Sequence, residues 1–478
     1  MSHLSTVQRV AKNTGTIIVG DVIFRIISLF VTIYLARYLL PVEFGKYSFI
    51  FAYLAFFDVI TDLGLTSILV REMARDALMA PKLIGNAYII RLILTAFAVT
   101  LSMTVITLLS YPADTTHYIY LAAFTLLFIS FSDFYRTIFQ TNLRMEYNII
   151  AKLFFKVLSA GLILWIIFSH GTLMQIIFAL VFSEMVKTLI NFSFSRKFVR
   201  PRFTIDFGLW KYLFKESLPI ALSSVIWTIY SQIDMVMLSP MMGDAAVGIY
   251  SAAHKLFEPF SLIPHAFLLS LFPIMSASFK NSKERLLKSY RLSLKYLLII
   301  ALPIAMGTTL LADKIILLVY GAEFANSTTV LQILIWSIIF NFVSAAVLMS
   351  LLTSIGKQKL NTIGTGLGAF VNVTLNLILI PLLSYNGAAI ATVMTNIVIF
   401  TVSFYFVSKH LQVLPLHKIM IKPAISGLAM GAFMYYSINV NIFFLVPLAG
   451  IVYLMALLAL KTFSKEDMDI VKKVLNRG

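Results

Sequence analysis

Long apolar segments follow one another along this chain with gaps of about ten residues or fewer, and positive charge is concentrated in every second gap. Twenty-nine of the thirty-eight Lys and Arg residues lie in those alternate gaps, and only Arg37, Lys46 and Lys314 lie in the others. Lys and Arg resist translocation while Asp and Glu contribute little to the bias, so this alternation records the orientation of a polytopic helical membrane protein. A spanning helix needs roughly 20 mostly apolar residues. The 478 residues then hold about fourteen, near 14–36, 47–69, 84–110, 118–140, 147–169, 171–194, 213–239, 246–276, 292–320, 327–354, 361–383, 387–408, 421–438 and 442–461. The basic gaps face the cytoplasm, which puts both termini there and the whole chain in the cell membrane as an all-α, multi-pass protein.

In a soluble chain, a formal net charge of +17 would point to nucleic acid. Here 60% hydrophobic and 12% charged residues, with a mean hydropathy of +0.91, leave no solvated surface for such a footprint. The expected surroundings are membrane lipids, with no nucleic-acid partner. The absence of Cys removes disulfides, thiolate metal sites and Cys nucleophiles. No metal-ligand spacing, P-loop or nucleophile in register with a base is present, so neither cofactor, metal nor catalytic residue is expected. The first segment carries Asp21 and Arg25 and lacks a small-residue cleavage site, so it reads as the first span.

The stretch Phe44-Gly45-Lys46-Tyr47-Ser48 recurs as Val247-Gly248-Ile249-Tyr250-Ser251, an offset of 203 residues that spans six helices and returns to the same side of the membrane. The repeats are therefore expected to be parallel, related by an axis along the membrane normal. Residues 195–212 form the longest polar connection, with Trp210 as an interface anchor. The expected division is a first lobe at 1–194, a cytoplasmic linker at 195–212, a second lobe at 213–408, and two further spans with a tail at 409–478. In the tail, Ser464 and Asp467 form a capping box and Met468, Val471 and Leu475 share one face, the pattern of a short surface helix.

Six basic residues fall inside the expected spans: Arg25, Arg91, Lys152, Lys156, Lys187 and Lys255. Each costs roughly 2.5 to 3.5 kcal/mol at a helix centre, so they face protein or water. Asp21, Asp58, Asp62, Asp133, Glu184, Asp234 and Glu258 accompany them. Asp21 and Arg25 lie four apart, and Glu184–Lys187 and Lys255–Glu258 three apart, the spacing of neighbours on one helical face. Arg91, Lys152 and Lys156 have no acidic neighbour at that spacing and need a partner from elsewhere: an acid on another helix, or an anionic ligand in a wet cavity. Arg25 and Arg91 suit phosphate because the guanidinium fork reaches two oxygens at once, and Lys255 adds a point charge. Pro219, Pro259, Pro264, Pro273 and Pro303 are expected to interrupt spans seven to nine, and Gly364, Gly366 and Gly368 to pack helices closely.

Other residues carry a resemblance. Ala36-Arg37-Tyr38-Leu39-Leu40-Pro41, Glu43-Phe44-Gly45-Lys46-Tyr47, Asp62-Leu63-Gly64-Leu65 and Arg71-Glu72 are followed by Tyr320-Gly321-Ala322-Glu323-Phe324, Val371-Asn372, Leu375-Asn376, Ile380-Pro381 and Gly387-Ala388-Ala389-Ile390-Ala391-Thr392. This ordered set resembles the polysaccharide-biosynthesis, lipid-linked oligosaccharide flippases of the multidrug, oligosaccharidyl-lipid and polysaccharide exporter superfamily. The resemblance implies two six-helix lobes facing across a central cavity, two additional C-terminal helices, and alternating access that carries a polyprenyl-pyrophosphate-linked glycan outward. It also implies glycan polymerases or glycosyltransferases as partners in assembling cell-surface polysaccharide or glycoconjugate. Substrate contacts are expected at Arg25, Arg91, Lys152, Lys156 and Lys255, and ion coupling at Asp21, Asp58 or Asp234. Asp62, Gly64, Gly45 and Pro41 are expected to shape helix ends. Two competing readings are an ion-coupled drug or cation antiporter, whose cavity would be dominated by carboxylates, and a membrane glycan polymerase or ligase, which would need a sizeable external loop.

Overall fold

A segment in lipid has no water to satisfy its amides, so apolar runs of this length close their hydrogen bonds within helices. The computed structural model describes residues 6–268, 275–276 and 282–463, and no strand occurs among them. The tail pattern from Ser464 and Pro273 lie outside the described residues.

Helix α1 (Thr6–Asp62) breaks at Leu40, where φ is 60° and ψ is 173°. Pro41 bars the residue before it from the helical region, and the turn falls in the expected gap between spans one and two. A second break at Leu63 and Gly64, with φ of 44° and 78°, divides the expected span 47–69. Its last turns belong to a separate helix, α2 (Leu65–Arg75). Then come α3 (Ala80–Leu108), α4 (Ala113–Thr141), α5 (Glu146–Phe168), α6 (Leu173–Ser195), α7 (Phe207–Met242) and α8 (Asp244–Phe257). Helix α7 runs through Pro219, whereas α8 gives way to a tight turn at Glu258–Ser261, around Pro259.

Several helices end in the same way. After α4, Leu143 N–H donates to the Gln140 carbonyl at 3.2 Å and Arg144 N–H to that of Phe139 at 2.9 Å; after α5, His170 and Gly171 repeat the pattern on Ile167 and Ile166. This paired closure needs a left-handed residue just past the helix, usually Gly. Here Leu143 and His170 fill that place at φ of 54° and 55°.

Ten helical runs among the described residues are long and apolar enough to cross a membrane. Two of them contain the breaks at Leu40 and Ser384. This gives ten to twelve crossings (ten plus those two breaks) against the fourteen expected. Expected span 246–276 is only partly described, and 421–438 lies in the helix Leu416–Tyr436, which starts with Lys418 and Lys422.

The chain forms two compact units, Met1–Gly248 and Ile249–Gly478. In the first, α4 packs on α6, α5 on α6, and α7 along α1 and α2. Leu65, Leu69, Leu83, Ile84, Phe134, Ile138 and Leu213 make one core. In the second unit, Leu286, Leu294 and Leu297 pack with Ile338, Phe342 and Leu351. The last two helices cover the other side of Lys283–Val319, where Tyr453 donates to the Ile299 carbonyl at 2.8 Å. The G-x-G-x-G does serve packing: a β-carbon on Gly368 would lie 2.5 Å from the Ile399 side chain.

The internal repeat has a structural counterpart. A β-carbon on Gly45 would lie 1.7 Å from the Asp244 carbonyl oxygen, and one on Gly248 would lie 1.9 Å from that of Pro41. The 203-residue offset maps Pro41 onto Asp244 (244 − 41) and Gly45 onto Gly248 (248 − 45), so each glycine meets the backbone that is its own equivalent's neighbour.

The polar connection 195–212 is strapped to α3. Arg202 N–H donates to the Pro81 carbonyl at 2.9 Å. Asn86 Oδ1 accepts from Asp206 N–H and Trp210 Nε1, both at 2.9 Å, and Lys82 pairs with Asp206 at 2.6 Å. Trp210 is thus fixed by a protein acceptor. The Lys82 ammonium and the Leu209 amide hold the Asp206 carboxyl below the usual carboxylate range. A carboxylate depressed by folding contributes stability that is present above its unfolded pKa and lost as pH falls through the folded one. At neutral pH, Asp206→Asn is expected to speed amide exchange at residues 207–209. The difference from the parent protein should begin to shrink below about pH 4 and vanish once pH falls below the depressed folded value, measured by hydrogen exchange corrected for intrinsic rates.

Candidate functional site

The intramembrane charges of the first unit fall into two groups. In one, α1 ends at Asp62, whose carboxylate accepts from Thr66 N–H at 3.1 Å and Thr66 Oγ1 at 2.6 Å, capping α2 across the left-handed turn. Gly64 makes that turn with φ of 78°, where a β-carbon would also meet the Ser217 carbonyl of α7 at 2.9 Å. Arg91 of α3 enters the same corner. Its guanidinium bonds Asp62, Thr66 Oγ1 at 3.0 Å and the Ser130 carbonyl at 2.7 Å. Its Cζ lies 5.7 Å from the centroid of the Phe134 ring. At 1% exposure, Arg91 needs this full set of acceptors, because a buried cation without them would be expelled. The partner that the sequence required for Arg91 is therefore Asp62, from another helix.

Further charges surround this corner. Asp58 and Asp133 interact electrostatically with Arg91, Arg136 lies 3.4 Å from Asp133, and Thr61 Oγ1 donates to the Asp58 carbonyl at 2.8 Å.

The second group lies where α5 packs on α1 and α6. Lys152 sits 5.9 Å from the Phe24 ring centroid, beside Arg25 in sequence. Lys156 and Lys187 both approach the ring of Phe155, at 5.4 and 4.9 Å. Lys187 also pairs with Glu184, as the spacing predicted. Helices α5 and α6 thus bring Lys156 and Lys187 to one ring, Phe155, and Lys152 to Phe24 of α1, the residue before Arg25. Rings attract cations at low desolvation cost.

The remaining expected residues are placed separately. Asp234 is buried on α7. Lys255, in the second unit, pairs with Glu258 at 3.0 Å, the other pair that spacing predicted. The side chain of Asp21 lies outside the described residues. Among the described residues, no group of three His, Cys, Asp or Glu is arranged to hold a metal ion.

Two ion clusters were not read from the sequence. Lys46 bonds both Glu43 and Asp114, and Arg71 reaches Glu216 at 2.8 Å and Tyr212 at 3.2 Å. Glu43 lies three residues from Lys46, a helical spacing, but Asp114, Tyr212 and Glu216 lie 68 to 145 residues from the cations they meet, so spacing carried no signal of them.

Helices that satisfy their own backbones, with paired charges inside the bundle, define a polytopic α-helical membrane protein. Its family profile follows from the sequence. Residues 10–279, more than half of the chain, match the family described as polysaccharide biosynthesis protein, and the chain belongs to that family. Residues 219–378 also match the family described as MatE. The chain is 27% identical over 182 residues to the lipid II flippase MurJ of Bacillus subtilis, covering 37% of this chain and 32% of that one. It is also 27% identical over 184 residues to a probable low-salt glycan biosynthesis flippase, Agl15, of Haloferax volcanii, covering 38% and 39% respectively. The chain therefore spans about a third of the length of these curated relatives. A structure of lipid II flippase MurJ in an inward closed conformation superposes with a TM-score of 0.77 at 16% identity, over 92% of this chain and 97% of that one. An inward-facing multidrug resistance MATE family transporter of the MOP superfamily gives a TM-score of 0.68 at 17% identity, over 83% and 96%. At these identities the likeness establishes the fold.

Proposed function

We propose that this protein is a transporter, not an enzyme, that flips a polyprenyl-(pyro)phosphate-linked oligosaccharide across the cytoplasmic membrane by alternating access. Its product would feed cell-surface polysaccharide or glycoconjugate assembly, alongside glycan polymerases or glycosyltransferases. Both termini are proposed to be cytoplasmic, with lobes at 1–194 and 213–408 joined by the linker. The observation that carries the reading is the group of cations on α1, α5 and α6. Arg25, Lys152 and Lys156 would hold the pyrophosphate, and Lys255 of the second unit is assigned the same role. Arg91, committed to Asp62, is proposed to contribute by holding the α1–α2 corner in shape beside them. Asp58, Asp234 and Asp21 are the proposed coupling carboxylates; the membrane potential, worth about 2.3 kcal/mol per charge per 100 mV, is the other energy source.

The test is reconstitution in liposomes with a polyprenyl-pyrophosphate-linked sugar, scoring translocation with and without a potential. A charge-assisted hydrogen bond is worth about 1.5 to 3 kcal/mol, so Arg25→Ala or Lys255→Ala is expected to slow flipping about tenfold or more, with insertion unchanged. Normal flipping in both variants would remove the cationic-site reading. Ion-driven drug export without glycolipid transport would establish the antiporter instead.

A further inference from the structure

We propose that residues 196–211 form a binding surface for the phosphate headgroups of anionic membrane phospholipids. The stretch holds Arg196, Lys197, Arg200, Arg202 and Lys211 against the single acid Asp206. That acid is already paired with Lys82. Helix α6 ends at Ser195, α4 ends at Thr141 and α5 begins at Glu146, and cations at the ends of spans lie at headgroup level.

The inner side of the strap is occupied. The Arg202 amide, the Asp206 amide and the Trp210 indole are all bonded to α3, so the backbone is held in one path. Its outer side carries exposed large apolar residues: Phe203 at 60%, Ile205 at 59% and Phe207 at 74%. Arg200 and Arg202 precede them and are exposed as well. A fixed segment that shows aromatic and branched side chains beside cations, at the end of a bundle of spans, has the composition of an interface-lying membrane surface. An acidic protein partner would match the charge but leave the three apolar side chains unexplained.

The neighbouring cations are set for the same ligand. Lys197 Nζ lies 6.0 Å from the Tyr147 centroid and 5.4 Å from that of Phe194, and Arg144 Cζ lies 5.3 Å from Tyr147 on its side. Arg196 sits 5.6 Å from Phe192, which is 41% exposed. Arg144 is committed to Glu146 and to the Tyr147 hydroxyl, whereas contact with a ring face orients the stems of Lys197 and Arg196 without itself using their N–H donors, the groups that bind phosphate oxygens.

The full-length detergent-solubilised protein is titrated with phosphatidylglycerol, phosphatidylcholine or inorganic phosphate, and bound lipid is counted by native mass spectrometry. In parallel, tryptic cleavage after Arg202 is timed in vesicles of phosphatidylcholine with and without phosphatidylglycerol. Phosphatidylglycerol is expected to bind in preference to phosphatidylcholine and to slow cleavage. Lys197→Gln and Arg200→Gln are each expected to weaken binding about fivefold, and Phe203→Ser to weaken it without changing its salt dependence. Lys359→Gln, an exposed charge of the second unit, should leave strap cleavage unchanged. Equal binding of the two lipids, unaltered binding in both glutamine variants, or displacement of the lipid by equimolar inorganic phosphate would each overturn the assignment to lipid headgroups.

Discussion

Gly45→Ala and Gly248→Ala are expected to be among the most damaging methyl additions in the chain, each lowering stability by about 3 kcal/mol or more, because relief requires movement of backbone. A β-carbon at Gly45 would stand 1.7 Å from the Asp244 carbonyl oxygen. Non-bonded carbon does not approach within 3.0 Å, so the two segments must separate by 1.3 Å or more (3.0 − 1.7). The neighbouring contacts leave little room for that movement: Phe44 and Val247 are fully buried, and Lys46 ties the same turn to Asp114. The control is a glycine with open space around it. Gly161→Ala and Gly450→Ala meet nothing within 4 Å and, lying inside helices, are expected to be neutral or stabilising by up to about 1 kcal/mol. Thermal unfolding of the purified protein in detergent separates the two classes. Equal melting temperatures for Gly45→Ala and Gly161→Ala would show that the close approach carries no energy.

The repeat that led to these glycines was visible as one short match, and its meaning lay in its position. Other features were legible for similar reasons. The alternation of basic gaps depends on local composition, so the all-helical class and most turns follow from it. The pairs Glu184–Lys187 and Lys255–Glu258 depend on a three-residue spacing that any helix enforces. What the sequence hid depends on contacts between distant segments, or on local geometry that breaks the usual preference. Leu143 and His170 close helices in a left-handed conformation normally given to glycine, so they read as ordinary loop residues. The hydrogen bond of Trp210 was hidden because its acceptor, Asn86, is 124 positions away. The division of the charges was hidden in the same way. Lys152 and Lys156 were selected together with Arg91, yet folding places the first two beside aromatic rings and gives Arg91 a carboxylate 29 residues upstream.

Asp62→Asn is expected to be the costliest single charge removal in the first unit. Arg91 is 1% exposed, and breaking a buried pair by removing one partner typically costs 3 to 5 kcal/mol because the other charge stays behind uncompensated. The same substitution weakens the cap on α2, since Asp62 holds both the amide and the hydroxyl of Thr66. Arg91→Met is expected to cost less, because Asp62 is 34% exposed and water solvates much of what the guanidinium leaves. In the double variant the buried charge is gone, and replacing a buried ion pair by apolar volume is often neutral. Asp62→Asn combined with Arg91→Met should therefore be more stable than Asp62→Asn alone, which makes the coupling large and favourable. Unfolding midpoints of the four proteins give that coupling directly. Residues in contact couple by about 0.5 to 3 kcal/mol, so a value near zero would mean that Arg91 is held by Ser130 and Thr66 without Asp62. The transport assay then separates structure from substrate binding. If Arg91 acts by shaping the corner, the double variant regains flipping along with stability; if its guanidinium grips pyrophosphate, stability returns and flipping does not.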